Sequence, residues 1–115
     1  MGYDDMTWYE YLKDEENELK EPIIAIAIST SKGPAYYESA DIKTLYQDNM
    51  NGIDTANTKI MVQLKREFDG GYGGAGGNPF TAWTKNYVIF PTEYDGSEGI
   101  ARVRRNPAPE PTDHV

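Results

Sequence analysis

The chain has 115 residues, 38% of them hydrophobic and 26% charged, with a formal net charge of -8. That is material for one compact core and too little for two. The absence of cysteine excludes disulfides and thiolate metal sites, and the acidic balance repels polymeric nucleic acid, so an anion bound here should be small and met by a local basic cluster.

The charge is unevenly placed. Residues 1–58 hold four Lys/Arg against twelve Asp/Glu, residues 59–105 seven against five, and residues 106–115 add two acids. The longest apolar run, Ile23 to Ile28, falls far short of the roughly 20 residues of a membrane helix. The acidic N-terminus does not resemble a signal peptide. A soluble, cytoplasmic protein without cofactor or metal is the expectation.

In chain order, Thr7 with Glu10 three residues later forms a capping-box signal, and Trp8, Tyr11, Leu12 and Leu19 then share one helical face. A helix is predicted over Thr7 to Leu19, ended by Glu21-Pro22. IIAIAIST suits a buried strand, SKGP a turn, and AYY a strand pairing back. In SADIKTLYQDN, Ser39 can cap a short second helix bearing Ile42, Leu45 and Tyr46, which Asn51-Gly52 stops.

Residues 56–68 are ambiguous, because Ile60, Val62 and Leu64 alternate while Ala56, Ile60, Leu64 and Phe68 recur every fourth residue. Helix is preferred, capped by Asp54 or Thr55 and closed by Gly70. DGGYGGAGGNPFTAWT then concentrates six of the eleven glycines beside two large rings, a costly run unless unusual dihedrals or close approach are required. It is neither a dinucleotide fingerprint nor a P-loop, although its amides can form an anion nest. FTAWT, YVIFP and GIARVRR, separated by Lys85-Asn86 and YDGSEG, read as a three-stranded meander. The whole is an α+β fold: a single domain over 1–107, an antiparallel sheet with two or three short helices, and a proline-rich tail over 108–115.

Catalysis lacks parts, since the only histidine, His114, is in that tail and no nucleophile has an evident base. Binding chemistry is better represented. Arg102, Arg104 and Arg105 cluster near the end of the last strand, and arginine forks match phosphate oxygens. Phe80, Trp83, Tyr87, Phe90 and Tyr94 offer faces on which a base can stack. Phe80 and Trp83 differ in strand parity, so one of the two is free of the core.

Residues 69–107 resemble the phage anti-Thoeris signal sponges of the cyclic ADP-ribose-sequestering type, through the glycine-rich run, PFTAWT, the V-x-FP strand, YDGSE and RRNP. The resemblance covers about a third of the chain, and departs from the pattern at Gly99 and Pro109. It implies a non-enzymatic homo-oligomer, dimer or hexamer, that withholds a cyclic ADP-ribose isomer made by bacterial TIR-domain proteins, with cyclic oligonucleotides as a second class of ligand. By motif, Phe80 and Trp83 would face the adenine or wall the pocket, with Thr81 and Ala82 between them. Arg105 and Asn106 would meet pyrophosphate and ribose, with Arg102 or Arg104 assisting. Two other readings are a phage inhibitor that covers a basic groove of a host protein with the acidic N-terminal half, and a carbohydrate-binding module.

Overall fold

A computed structural model describes residues 5–30, 43–69, 77–94 and 97–106. Its first regular elements are a two-residue strand β1 (Asp5–Met6) and helix α1 (Trp8–Leu19). Thr7 caps α1, its hydroxyl accepting the Glu10 amide at 3.1 Å and donating to the Glu10 carboxylate at 3.1 Å. The helix ends at Lys20, in the left-handed region at φ 59, whose amide closes onto the Glu16 carbonyl at 2.8 Å. The capping-box reading of this segment therefore holds to the residue.

Strand β2 (Ala25–Ser29) follows, then β3 (Thr44–Gln47), a 3-10 turn (Ile53–Thr55) and helix α2 (Thr58–Leu64). The expected helix bearing Leu45 and Tyr46 is corrected here, since both lie in β3 as an antiparallel partner of β2. Leu45 turns to the core opposite Ile28 and Tyr46 turns out opposite Ala27, an alternation a helix would not give. Ser39 to Ile42, the AYY segment, residues 70–76, the 95–96 turn and the 107–115 tail lie outside the described residues.

The helix preferred for residues 56–68 is present but shorter. Asn57, not Asp54 or Thr55, caps it by accepting the Ile60 amide at 2.9 Å. Asp54 and Thr55 belong instead to the 3-10 turn, which Gly52 enters at φ 107. Phe68 leaves the helix to form β4 (Phe68–Asp69), paired with β1.

The meander is β5 (Phe80–Trp83), β6 (Tyr87–Tyr94) and β7 (Ser97–Arg104). With β2 and β3 it makes a five-stranded antiparallel sheet in the order β3-β2-β5-β6-β7. Both helices lie on one face. There Ile26, Ile28, Phe80, Ala82 and Ile89 meet Leu12, Ile60 and Leu64, all buried.

Trp8 is the hub of this core at 1% exposure, its ring 4.5 Å from Phe68 and 5.0 Å edge-on to Phe80. Its indole N–H donates to the Asn78 carbonyl at 2.8 Å, satisfying the polar end of a fully buried ring. Gly77 explains one glycine of the run, because a Cβ there would stand 2.5 Å from the indole nitrogen. Among the described residues no helix is long and apolar enough to cross a membrane.

Candidate functional site

Antiparallel partners share a face, so the register sorts every strand position. The helix-covered face carries the charged residues of the last hairpin: Glu93, Glu98, Arg102 and Arg104. The opposite face presents Ala25, Ala27 and Ser29 of β2, Thr44 and Tyr46 of β3, and Thr81 and Trp83 of β5. It continues through Val88, Phe90 and Thr92 of β6 and Gly99, Ala101 and Val103 of β7. These outward positions hold no Asp, Glu, Lys, Arg or His in a chain that is 26% charged. Tyr46 and Val103 are exposed at 58% and 40%.

The nine candidate site residues divide accordingly. Phe80 and Ala82 point into the core and are buried, Ala82 between Ile26 and Ile89, so neither wall can meet a ligand without unfolding the sheet. Thr81 and Trp83 face outward, half-buried. Trp83 meets Tyr46 edge-on at 6.5 Å across the strand that carries Ala25 and Ala27, an aromatic pair on the outward face. Tyr94 pairs with Ser97 at the far end of the last hairpin, and its side chain lies outside the described residues.

The arginines are not equivalent. Arg102 reaches back to α1, where its guanidinium contacts both Glu15 oxygens at 3.0 and 2.9 Å and Glu18 at 3.0 Å. The Glu18 and Glu15 carboxylates hold its proton more tightly than usual, burial opposing them only in part. Its charge is already neutralised, which leaves little attraction for a further anion. Arg104 lies on the same face, over the Tyr87 ring at 5.2 Å.

Arg105 turns the other way. Its amide donates to the Asn86 carbonyl at 2.9 Å, and its guanidinium donates to the Thr84 and Lys85 carbonyls at 2.9 and 3.4 Å. The β5–β6 turn is closed by Thr84 and Tyr87: the Thr84 amide donates to the Tyr87 carbonyl, and the Tyr87 amide donates to the Thr84 hydroxyl. Arg105 is thus fixed beside Lys85, and neither cation has a carboxylate within 4 Å among the described residues. Asn106 follows, exposed.

Glu21 holds the back of the same turn, accepting from the Asn86 amide at 3.2 Å and its side-chain NH2 at 2.7 Å. Burial pushes the Glu21 carboxyl up, but the bonds from Asn86 and Thr84 and the charge of Lys85 outweigh it and hold the group below the ordinary carboxylate value. The corner therefore comprises the Trp83–Tyr46 ring pair on the outward face and a turn bearing Lys85 and Arg105, with Glu21 behind it.

Sequence reading missed Tyr46, assigned to a helix, and Lys85, read only as a turn residue. The signal for Lys85 was present in its two-residue spacing between strands, which places a turn cation beside whatever follows the third strand. Comparison with family models, with characterised proteins and with solved structures finds no match for the chain.

Proposed function

We propose that the protein binds a cyclic ADP-ribose isomer and withholds it intact from a bacterial TIR-based defence, as the resemblance of residues 69–107 implies. The observation that carries this reading is the abutment of a sheet face bearing Trp83 and Tyr46 with a turn that holds Arg105 and Lys85, in a protein whose net charge is -8. A cyclic ADP-ribose offers a base to stack and a pyrophosphate to pair, and both chemistries meet at this corner. Trp83 and Tyr46 supply ring surface, and Arg105 with Lys85 supplies donors to phosphate oxygens. Asn106, exposed after Arg105, offers a side-chain amide to a ribose hydroxyl.

A second copy of the chain is the natural cover for the same face. Two acidic copies approach with least repulsion through a surface that carries no acid, and Tyr46, Trp83 and Val103 are side chains enriched or tolerated in interface cores. A dimer or larger homo-oligomer is thus part of the proposal.

Titration of cyclic ADP-ribose isomers, followed by Trp83 fluorescence and calorimetry, tests the assignment. Arg105→Ala and Lys85→Ala should each weaken binding by more than about tenfold, which corresponds to 1.4 kcal/mol, and heating the complex should return the ligand unchanged. Wild-type affinity in both variants overturns the corner, and recovery of linear ADP-ribose overturns sequestration. The exposed acids of α1, Glu10, Asp14 and Glu18, favour a second reading, direct capture of a basic host protein. Mass spectrometry of material released from freshly purified protein separates the two, because only the first yields a nucleotide.

A further inference from the structure

Among the described residues the five-stranded sheet has two open edges, β3 and β7. β3 is four residues long, and its Gln47 side chain is tied to the Thr55 carbonyl and the Asn57 amide. β7 is eight residues long, pairs with β6 in unbroken register from Ser97 to Arg104, and carries neither proline nor lysine, two common guards of an exposed edge. Its inward charges are a third guard, but Arg102 is already bound by Glu15 and Glu18. The Arg105 amide donates to the Asn86 carbonyl, which fixes the alternation along β7. Gly99, Ala101 and Val103 spend their backbone groups on β6, whereas Glu98, Ile100, Arg102 and Arg104 turn theirs to the open edge. The Tyr11 hydroxyl, which meets the Glu98 carbonyl at 3.5 Å from the side of α1, agrees with that direction.

Two features of β7 have no reason within one chain. A Cβ at Gly99 would meet only the Thr92 hydroxyl at 3.9 Å, and its φ is not in the left-handed region, yet a glycine inside a strand weakens it unless another backbone comes close. Glu98 lies opposite Glu93 across the hairpin, and like charges in that position are destabilising. We infer that β7 pairs antiparallel with β7 of a second copy of this chain, about a two-fold axis at Ala101, so that the two sheets become one. That register sets Glu98 opposite the partner's Arg104, Gly99 opposite the partner's Val103, and Ala101 opposite the partner's Ala101. The strand is complementary to itself. All of the edge-turned residues from Glu98 to Arg104 then fall in hydrogen-bonded pairs, and the alanines meet at the closer spacing of about 4.5 Å between Cα atoms, which small side chains suit. An axis at Ile100 would set Glu98 against the already neutralised Arg102, and one at Arg102 would set arginine on arginine. Val103, 40% exposed in one chain, is covered by the partner's Gly99. Both copies of α1 come to the same side of the joined sheet, where Arg102 already holds their Glu15 and Glu18. This edge goes beyond the proposed function, since it is a different surface from the outward face and its pairing requires no ligand.

Sedimentation of the ligand-free, full-length protein over a concentration series, with site-resolved amide hydrogen exchange at both ends of it, tests this. The Ile100 and Arg102 amides should exchange more than about tenfold slower in the dimer and recover on dilution. Arg104→Glu, at an exposed position, should weaken self-association by more than about tenfold by facing Glu98 with a like charge, and adding Glu98→Arg should restore it. Four results overturn the edge: a monomer at every concentration, a dimer whose Ile100 and Arg102 amides exchange as in the monomer, protection that dilution does not remove, or wild-type association in Arg104→Glu. None of them bears on the Lys85 and Arg105 corner, because no ligand is present.

Discussion

On the helix-covered face of the sheet, Arg102 meets Glu15 and Glu18, and Glu98 accepts the Gly77 amide at 3.2 Å. The outward face offers Ala27, Trp83, Val88 and Val103 and, among the described positions, no Asp, Glu, Lys, Arg or His. In a free-standing antiparallel sheet the solvated side is ordinarily the charged one. Here β7 reverses that order, with its charges turned toward α1 and Ala101 and Val103 turned away. The reversal teaches that Arg102 is used to hold α1, while the outward positions of β7 are left to the small and apolar Gly99, Ala101 and Val103.

The sharpest break of the comparison uses one ring from each side. Phe80→Ala should lower stability by about 3 to 5 kcal/mol, as large-to-small changes in a packed core do. Trp83→Ala, half-buried on the other face, should cost less than about 2 kcal/mol and instead remove about 1 to 3 kcal/mol of ligand stacking. Denaturant titration with and without cyclic ADP-ribose reads both quantities. Equal losses of stability would erase the distinction between the faces.

Gly77→Ala probes the same core from its edge. The added methyl would meet Trp8 at 2.5 and 2.6 Å and Phe68 at 2.8 Å. Buried rings cannot move aside cheaply, so a loss of about 1 to 3 kcal/mol is expected. An unchanged melting temperature would show that the indole is free to shift.

Arg102→Ala should cost about 2 kcal/mol, between an exposed pair and a buried one, because the arginine and Glu15 side chains are 25% and 11% exposed. Ligand affinity should be unaffected, whereas Arg105→Ala should leave stability nearly intact and weaken binding. Reversal of these two phenotypes would exchange the roles assigned to the two arginines.

The smallest expected effect is a pH dependence. Burial first, and then the facing Glu93 carboxylate, push the Glu98 carboxyl above its ordinary value of 4.5, with the Gly77 amide opposing. A raised folded-state value means that the fold favours the protonated acid. Its contribution is complete below pH 4.5 and is lost as pH rises through the raised value. Chemical denaturation across that window should show a decline in the wild type that Glu98→Gln removes; identical curves would mean that Glu98 is fully solvated.

What the sequence disclosed follows the range of the interactions. Thr7 and Glu10 are three residues apart, and the helix start they announce is the one found. Turn chemistry is equally local, so the β5–β6–β7 meander was legible in outline, although Tyr94, Ser97 and Glu98, read as turn, belong to the strands. Thr44–Gln47 was not, because its strand identity comes from pairing with β2, and Leu45 and Tyr46 suit either conformation in isolation. Asp54 has capping chemistry but is diverted by the preceding Gly52 into the 3-10 turn. Arg102 was read as an anion ligand because the carboxylates that neutralise it lie 84 and 87 residues earlier.

The bonds that seat α1 have a consequence for the order of assembly. Trp8 waits for a carbonyl 70 residues downstream, and Glu15 for a guanidinium 87 residues downstream. On a ribosome adding about 5 to 20 residues per second, the second of these partners arrives roughly 4 to 17 s after Glu15 itself. Through that interval the first-made helix has its apolar stripe but not the sheet that receives it. The nascent protein is therefore committed to closing its longest loops last, and its birth is its most aggregation-exposed moment.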